Sequence, residues 1–185
     1  MDALMTSSAG TVALALVTAW VGYLLGGKQE REKEKRSRNV LAAGELTEPL
    51  RELQRLLRRL GRDDVDKAEV VSAFIDWSSA YDNHAHRLPA KWRHLSRSIR
   101  DAAGTVFGGV SLVHIRPNLA HLELGEPDGM WQDYADEYLE YAASCLLKWG
   151  DSSKSAPTDL MTYEAWLVST GRREPYGHNR HEPDV

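Results

Sequence analysis

Histidine, cysteine and clustered carboxylates are the side chains of this sequence best suited to chemistry. Asp82-Asn83-His84-Ala85-His86 gathers two imidazoles and a carboxylate within five residues, and His94 follows. Imidazole with carboxylate suits zinc or iron, but metal sites on helices use i,i+3 or i,i+4 pairs, which His84 and His86 do not form. His84 also falls on an apolar stripe, where a histidine reads as a hydrogen-bonded core residue. His178-Asn179-Arg180-His181 lies in a polar tail. The expectation is no metal and no cofactor.

Cys145 would be a nucleophile only if exposed beside a base. It sits on the stripe between Tyr138 and Trp149, and a free cysteine there reads as a small core residue. As 1 cysteine in 185 residues, it also excludes an intramolecular disulfide framework. Asp133, Asp136, Glu137 and Glu140 suggest acid/base work, yet nothing in the pattern places them in a pocket, and a solvated helix face explains them. Phosphate loops, dinucleotide fingerprints, nucleophile elbows and H-E-x-x-H are all missing from the sequence. With no catalytic residue in view, the pattern favours binding over catalysis.

The elements around these residues begin with an uncharged run, Ala3–Gly27, whose apolar centre is Val12–Leu25. About 20 helical residues cross a hydrocarbon core of about 30 Å, so Ala9–Gly27 is long enough. A cleaved signal peptide fits poorly: Asp2 is the only charge before the run, and no small-x-small site follows its apolar centre. Lys28, Arg31, Lys33, Lys35, Arg36 and Arg38 come directly after it, with no basic residue before. The positive-inside rule then puts the N-terminus outside and the rest of the chain in the cytoplasm. Ala15, Ala19, Gly22 and Gly26 form a small-residue face suited to packing against a second copy in the membrane.

Charge is unevenly distributed. The net of −4 hides 11 Lys/Arg against 6 Asp/Glu over residues 28–62, and 12 against 20 over residues 63–185. Lys28–Arg38 continues the membrane helix into water, with Glu32/Arg36 and Glu34/Arg38 at i,i+4. Interleaved glutamates weaken any clamp on anionic lipid, so the stretch reads first as a topology signal. A break is expected at Gly44. Leu46, Leu50, Leu53, Leu57 and Leu60 then form a heptad-like stripe, with Thr47 as N-cap and Pro49 in the first turn. Arg51, Arg55, Arg58 and Arg62 lie on another face. Burial of the leucines outweighs charge attraction to lipid, so the arginines are expected to face an acidic partner or the Asp133–Glu140 cluster on an antiparallel neighbour.

Four further helical stretches follow. Asp66-Lys67-Ala68-Glu69 is a capping box, ahead of the stripe Val70, Phe74, Trp77, Tyr81, His84 and Leu88, which Pro89 ends. Trp92, Leu95, Ile99, Ala102 and Val106 form the next, stopping at Gly108-Gly109. Residues 109–129 are the least regular; Val110–Ile115 alternates weakly without a second strand to pair with, and reads as an extended linker or short helix. Asp128 or Gly129 opens a helix burying Trp131, Tyr134, Tyr138, Ala142, Cys145 and Trp149, closed by Gly150. The last runs from about Pro157 to Thr170 with Leu160, Tyr163, Trp166 and Leu167 inward.

These parts in this order resemble a group of small single-pass proteins of actinobacteria, which combine an uncharged N-terminal anchor, an abrupt Arg/Glu/Lys stalk and an Ala/Leu/Arg-rich helical bundle. Ala9–Gly27, Lys28–Arg38 and the helices from Leu46 onward carry that resemblance, and 16 Arg against 7 Lys suits a GC-rich genome. It implies a membrane-anchored helical protein and transfers no catalytic residue.

The expected fold is all-α, an N-terminal transmembrane helix followed by a four- to five-helix cytoplasmic bundle. Residues 1–8 are external, 9–27 transmembrane, 28–45 a charged juxtamembrane stalk, 46–171 the bundle and 172–185 a disordered tail. The expected function is a membrane-anchored interaction or scaffold protein, bound to an unknown protein partner or to a second copy. A tethered enzyme or metal-binding sensor using His84 and His86 is the alternative, with a regulatory or defence component the third. The acidic body would repel a duplex, so nucleic acid is not an expected partner.

Overall fold

The computed structural model describes residues 6–62, 65–109, 112, 117–119, 123–151 and 159–173, with side chains from Glu30 onward. It is all-α. Five helices follow in order: α1 (Thr6–Arg59), α2 (Lys67–His84), α3 (Leu95–Thr105), α4 (Gly129–Asp151) and α5 (Tyr163–Ser169). Short 3-10 turns occupy Ala85–Arg87, Ala90–Trp92 and Pro117–Leu119, and no strand occurs among the described residues.

The longest element departs from expectation. α1 runs 54 residues without interruption, through both Gly44 and Pro49. Pro49 therefore stands inside the helix rather than in a first turn. Thr47 is not an N-cap: it is buried, and its hydroxyl donates to the Ala43 carbonyl at 2.6 Å. Packing explains why two helix-disfavouring residues are tolerated. Ala42, Ala43 and Leu46 are buried on the N-terminal side of Pro49, and Leu50, Leu53, Leu56, Leu57 and Leu60 on the other. Each buried leucine contributes about 1.5–3 kcal/mol, against about 3 kcal/mol for an interior proline and about 1 for a glycine. The core thus begins inside the stretch expected to be a stalk, at Ala42.

α4 lies antiparallel along α1. Arg36 pairs with Asp151 at 2.6 Å at one end of the seam, and Gln132 Nε2 donates to the Leu57 and Leu60 carbonyls at 3.1 and 2.7 Å at the other. Those carbonyls belong to the end of α1, where no further helical N–H can reach them. Between the two ends, Gln54 is buried and donates to the Asp136 carbonyl at 3.0 Å.

α2 opens at its capping box, Asp66 accepting from the Ala68 N–H and the Asp66 N–H donating to Glu69. Val70, Phe74, Trp77 and Tyr81 turn inward. The α-helix ends at His84, before Pro89, because the chain tightens into the 3-10 turn Ala85–Arg87. α3 buries Leu95, Ile99 and Ala102, and the chain beyond it buries Val106 before turning at Gly108 and Gly109, both at positive φ. Asp128 caps α4 by accepting from the Met130 and Trp131 N–H groups at 2.9 and 3.2 Å. α5 starts at Tyr163, capped by Thr162.

Aromatic packing closes the far side of the bundle. Tyr138 lies 5.0 Å from Tyr163 and 5.6 Å from Trp166 between ring centroids, and its hydroxyl donates to the Met161 carbonyl at 2.9 Å. Arg172 is held in this cluster, its guanidinium 4.9 Å from the Tyr134 ring and 4.6 Å from that of Trp166, paired with Glu137 at 2.5 Å. Arg172 therefore packs on the body, at the start of the stretch the sequence assigns to the tail. Cation–π contact and a charge pair fix it where composition alone reads as loose.

Among the described residues no helix is long and apolar enough to cross a membrane. The side chains of Ala9–Gly27, including Ala15, Ala19, Gly22 and Gly26, lie outside the described ones, as do most of Val110–Ile115 and residues 174–185.

Candidate functional site

The basic and acidic stripes meet at one point. Arg58 pairs with Asp136 across the α1–α4 seam, and Glu140 stands close enough to add to the charge around it. The Asp136 hydrogen bond raises Arg58 above its ordinary value. Arg55 instead turns to its own helix, Nε donating to Glu52 at 2.7 Å, and that bond holds Glu52 below the usual carboxylate value. Arg51 and Arg62 point to solvent, and so does Asp133. Glu137 belongs to Arg172. The four arginines and four carboxylates thus do not form one zipper, because α1 and α4 put apolar faces together and leave only Arg58 at the edge of contact. With Arg58 56% and Asp136 23% exposed, the pair contributes about 0–1 kcal/mol.

The histidines are separated. His84 Nε2 meets Glu45 of α1 at 2.5 Å, so His84 ties α2 to α1. His86 is exposed one turn on, where its Nε2 accepts from Arg87 Nε at 3.3 Å. His94 is tied to Ser98 at 3.3 Å. No group of three His, Cys, Asp or Glu side chains among the described residues is arranged to hold a metal. Cys145 is buried, and burial pushes its thiol above the ordinary value, leaving it a poor nucleophile.

A different site emerges where the charged stretch of α1 passes the turn after α2. Arg31, Lys35 and Arg38 lie at i, i+4 and i+7, on one face of α1. His86 and Arg87 stand across from them, and Glu34 and Asn39 complete the walls. The cleft is an open groove of about 430 Å³. Its four Lys/Arg side chains face a single carboxylate, Glu34, which Arg38 engages. Arg31, Lys35 and Arg87 have no carboxylate partner among the described residues. Such an arrangement suits an anion with several oxygen acceptors.

Sequence reasoning missed this cleft because His86 and Arg87, which close it, lie on a separate segment after α2, far along the chain from Arg31–Asn39. The regular spacing of Arg31, Lys35 and Arg38 was the available signal.

No family model, curated protein or solved structure matches the chain. Fold and site together define an all-α bundle built on one long helix, with a basic cleft beside that helix. What the protein does must follow from its own residues.

Proposed function

We propose that the protein is a membrane-anchored helical interaction protein. Ala9–Gly27 spans the membrane with the N-terminus outside, and the bundle stands in the cytoplasm. The observation that carries this reading is the continuity of α1, which joins the uncharged N-terminal run and the core of the bundle in one helix from Thr6 to Arg59. Six Lys/Arg residues follow that run and none precedes it. The architecture is that of the small single-pass actinobacterial proteins it resembles. Its partners are an unknown protein and a second copy, the latter through Ala15, Ala19, Gly22 and Gly26. The reading calls for neither nucleic acid nor cofactor.

The tethered-enzyme or metal-sensor alternative is weakened by the separation of His84 and His86: one is bound to Glu45, the other turned toward the basic cleft. A regulatory or defence role is compatible with the same anchored bundle and adds no site of its own.

Protease treatment of intact cells expressing the chain with an epitope at each end tests the topology. Loss of the N-terminal epitope with protection of the C-terminal one is the expected result; digestion of the C-terminal epitope would overturn it. Crosslinking in native membranes followed by metal analysis of the purified chain separates the two classes. A crosslinked protein partner and no stoichiometric metal support the interaction role. Stoichiometric zinc or iron, lost on His84→Ala, would move the assignment to the enzyme or sensor.

A further inference from the structure

The basic cleft has a position as well as a charge. Arg31 lies four residues beyond Gly27, and a helix rises about 1.5 Å per residue, so Arg31, Lys35 and Arg38 stand about 6, 12 and 16 Å along the axis from that glycine. The polar headgroup layer adds about 5–8 Å on each side of the hydrocarbon. Arginine and lysine reach back toward it along their methylene stems. Arg31 and Lys35 therefore address the layer that holds lipid phosphates, and Arg87 closes the cleft from the bundle side.

Three features distinguish this from a merely basic stalk. The cleft has walls from two segments distant in sequence, so the charge surrounds a volume rather than coating a rod. The sole carboxylate in it is already engaged by Arg38, leaving Arg31, Lys35 and the terminal guanidinium nitrogens of Arg87, whose Nε donates to His86, for a ligand. The groove is open on one side and offers about 430 Å³, room for a phosphate headgroup reached from the surface. Guanidinium groups offer paired N–H donors to phosphate oxygens, and the lysine adds a point charge.

We propose that this cleft holds the phosphate of an anionic glycerophospholipid at the membrane surface. The proposal rests on the anchored reading, which sets the height of Arg31 and Lys35 relative to the bilayer. A soluble phosphoester has the same recognition chemistry but would not need the cleft to open beside an uncharged membrane-length segment.

The full chain, purified in neutral detergent and loaded with phosphatidylglycerol or phosphatidylcholine, is compared by native mass spectrometry. Retention of phosphatidylglycerol is expected to exceed that of phosphatidylcholine about tenfold or more. Arg87→Gln, remote in sequence from the stalk, is expected to lower that preference about fivefold, and Arg31→Gln with Lys35→Gln to abolish most of the remainder. Arg51→Gln with Arg62→Gln, outside the cleft, should leave it intact. An unchanged preference in Arg87→Gln, or an equal loss in the Arg51/Arg62 variant, would overturn the cleft. Binding of soluble glycerol phosphate as tightly as the lipid would overturn the lipid as its occupant. Alkaline carbonate extraction of cell membranes keeps the two readings apart. Release of the wild-type chain would sink the anchor and this proposal together, whereas a carbonate-resistant chain with no Arg87-dependent preference would sink the cleft alone.

Discussion

Gly150 of α4 crosses Ala43 of α1 so closely that a Cβ built on the glycine would lie 2.6 Å from the alanine Cβ. The Asn39 carbonyl and Val40 Cα, at 3.2 and 3.3 Å, close the remaining space. These contacts are backbone or short side chain, so neither partner can swing aside. The sequence assigns Gly150 a helix-stop role; it lies in the last turn of α4 and is also packed directly against α1.

Gly150→Ala is accordingly expected to destabilise the fold by about 1–2 kcal/mol. Overpacking costs about 1–3 kcal/mol, and the helix propensity of alanine returns up to about 1. Urea unfolding measures the difference. Adding Ala43→Gly should recover part of the loss, and a stabilised Gly150→Ala would disprove the close crossing.

Gly44 gives the opposite result. It is exposed within α1 and has open space where a Cβ would project. Gly44→Ala should stabilise the chain by about 0.5–1 kcal/mol, seen as a higher midpoint in the same experiment. Pro49→Ala restores an N–H that can bond the Glu45 carbonyl, and should also stabilise, by about 1–3 kcal/mol. If either variant unfolds more easily, α1 is broken in that region.

Gln132 and Arg58 both bridge α1 and α4, yet they should respond differently to substitution. Gln132→Ala leaves the Leu57 and Leu60 carbonyls without their donor, at a cost of about 1–2 kcal/mol. Arg58→Gln removes a solvent-exposed pair with Asp136 and should cost no more than about 1 kcal/mol. Thermal melts of the two single variants decide the ranking, and the reverse order would make the charge pair the principal bridge.

Alkaline pH should unfold the protein in a definite window. Burial raises Cys145, Tyr138 and Tyr163 above their ordinary values. A proton held more tightly in the folded state gives stability that is complete below the unfolded value and disappears as pH climbs toward the folded one. Stability is therefore expected to be level up to about pH 8.5 and to fall above it, most steeply beyond about pH 10 as unfolded tyrosines ionise. Tyr138→Phe should lower stability near neutrality, through loss of its bond to Met161, yet flatten the alkaline decline. Iodoacetamide at pH 8 should label Cys145 only after denaturation; rapid labelling of the native chain would show that the thiol is accessible.

Local patterns made much of the bundle legible. The Asp66–Glu69 capping box, the stripe Val70–Tyr81 and the buried Trp77, Trp92, Trp149 and Trp166 follow from spacing alone, since a helix buries residues three and four apart. Gly44 and Pro49 misled for the same reason: propensity is a local preference, and leucine and alanine packing on both flanks overrides it. Gln54 was invisible as a seam residue because its partner, the Asp136 carbonyl, is backbone on a distant helix. The basic cleft required knowing that residues 31–38 and 86–87 come together, and that is a tertiary fact.

The unbroken course of α1 also sets a rotational phase. Each residue of an α-helix turns the chain by about 100°, and between Glu30 and Ala42 no glycine or proline interrupts the helix to absorb a twist. The angle at which the N-terminal half of the rod faces its surroundings is therefore geared to the angle at which Leu46–Leu60 enter the core. Inserting one residue near Ser37 would swing one half against the other by about 100°, whereas inserting seven would return it to within about 20° of its starting azimuth and displace it by about 10 Å. Torque applied at one end of this helix is felt at the other as rotation, and the bundle is the part that must yield to it.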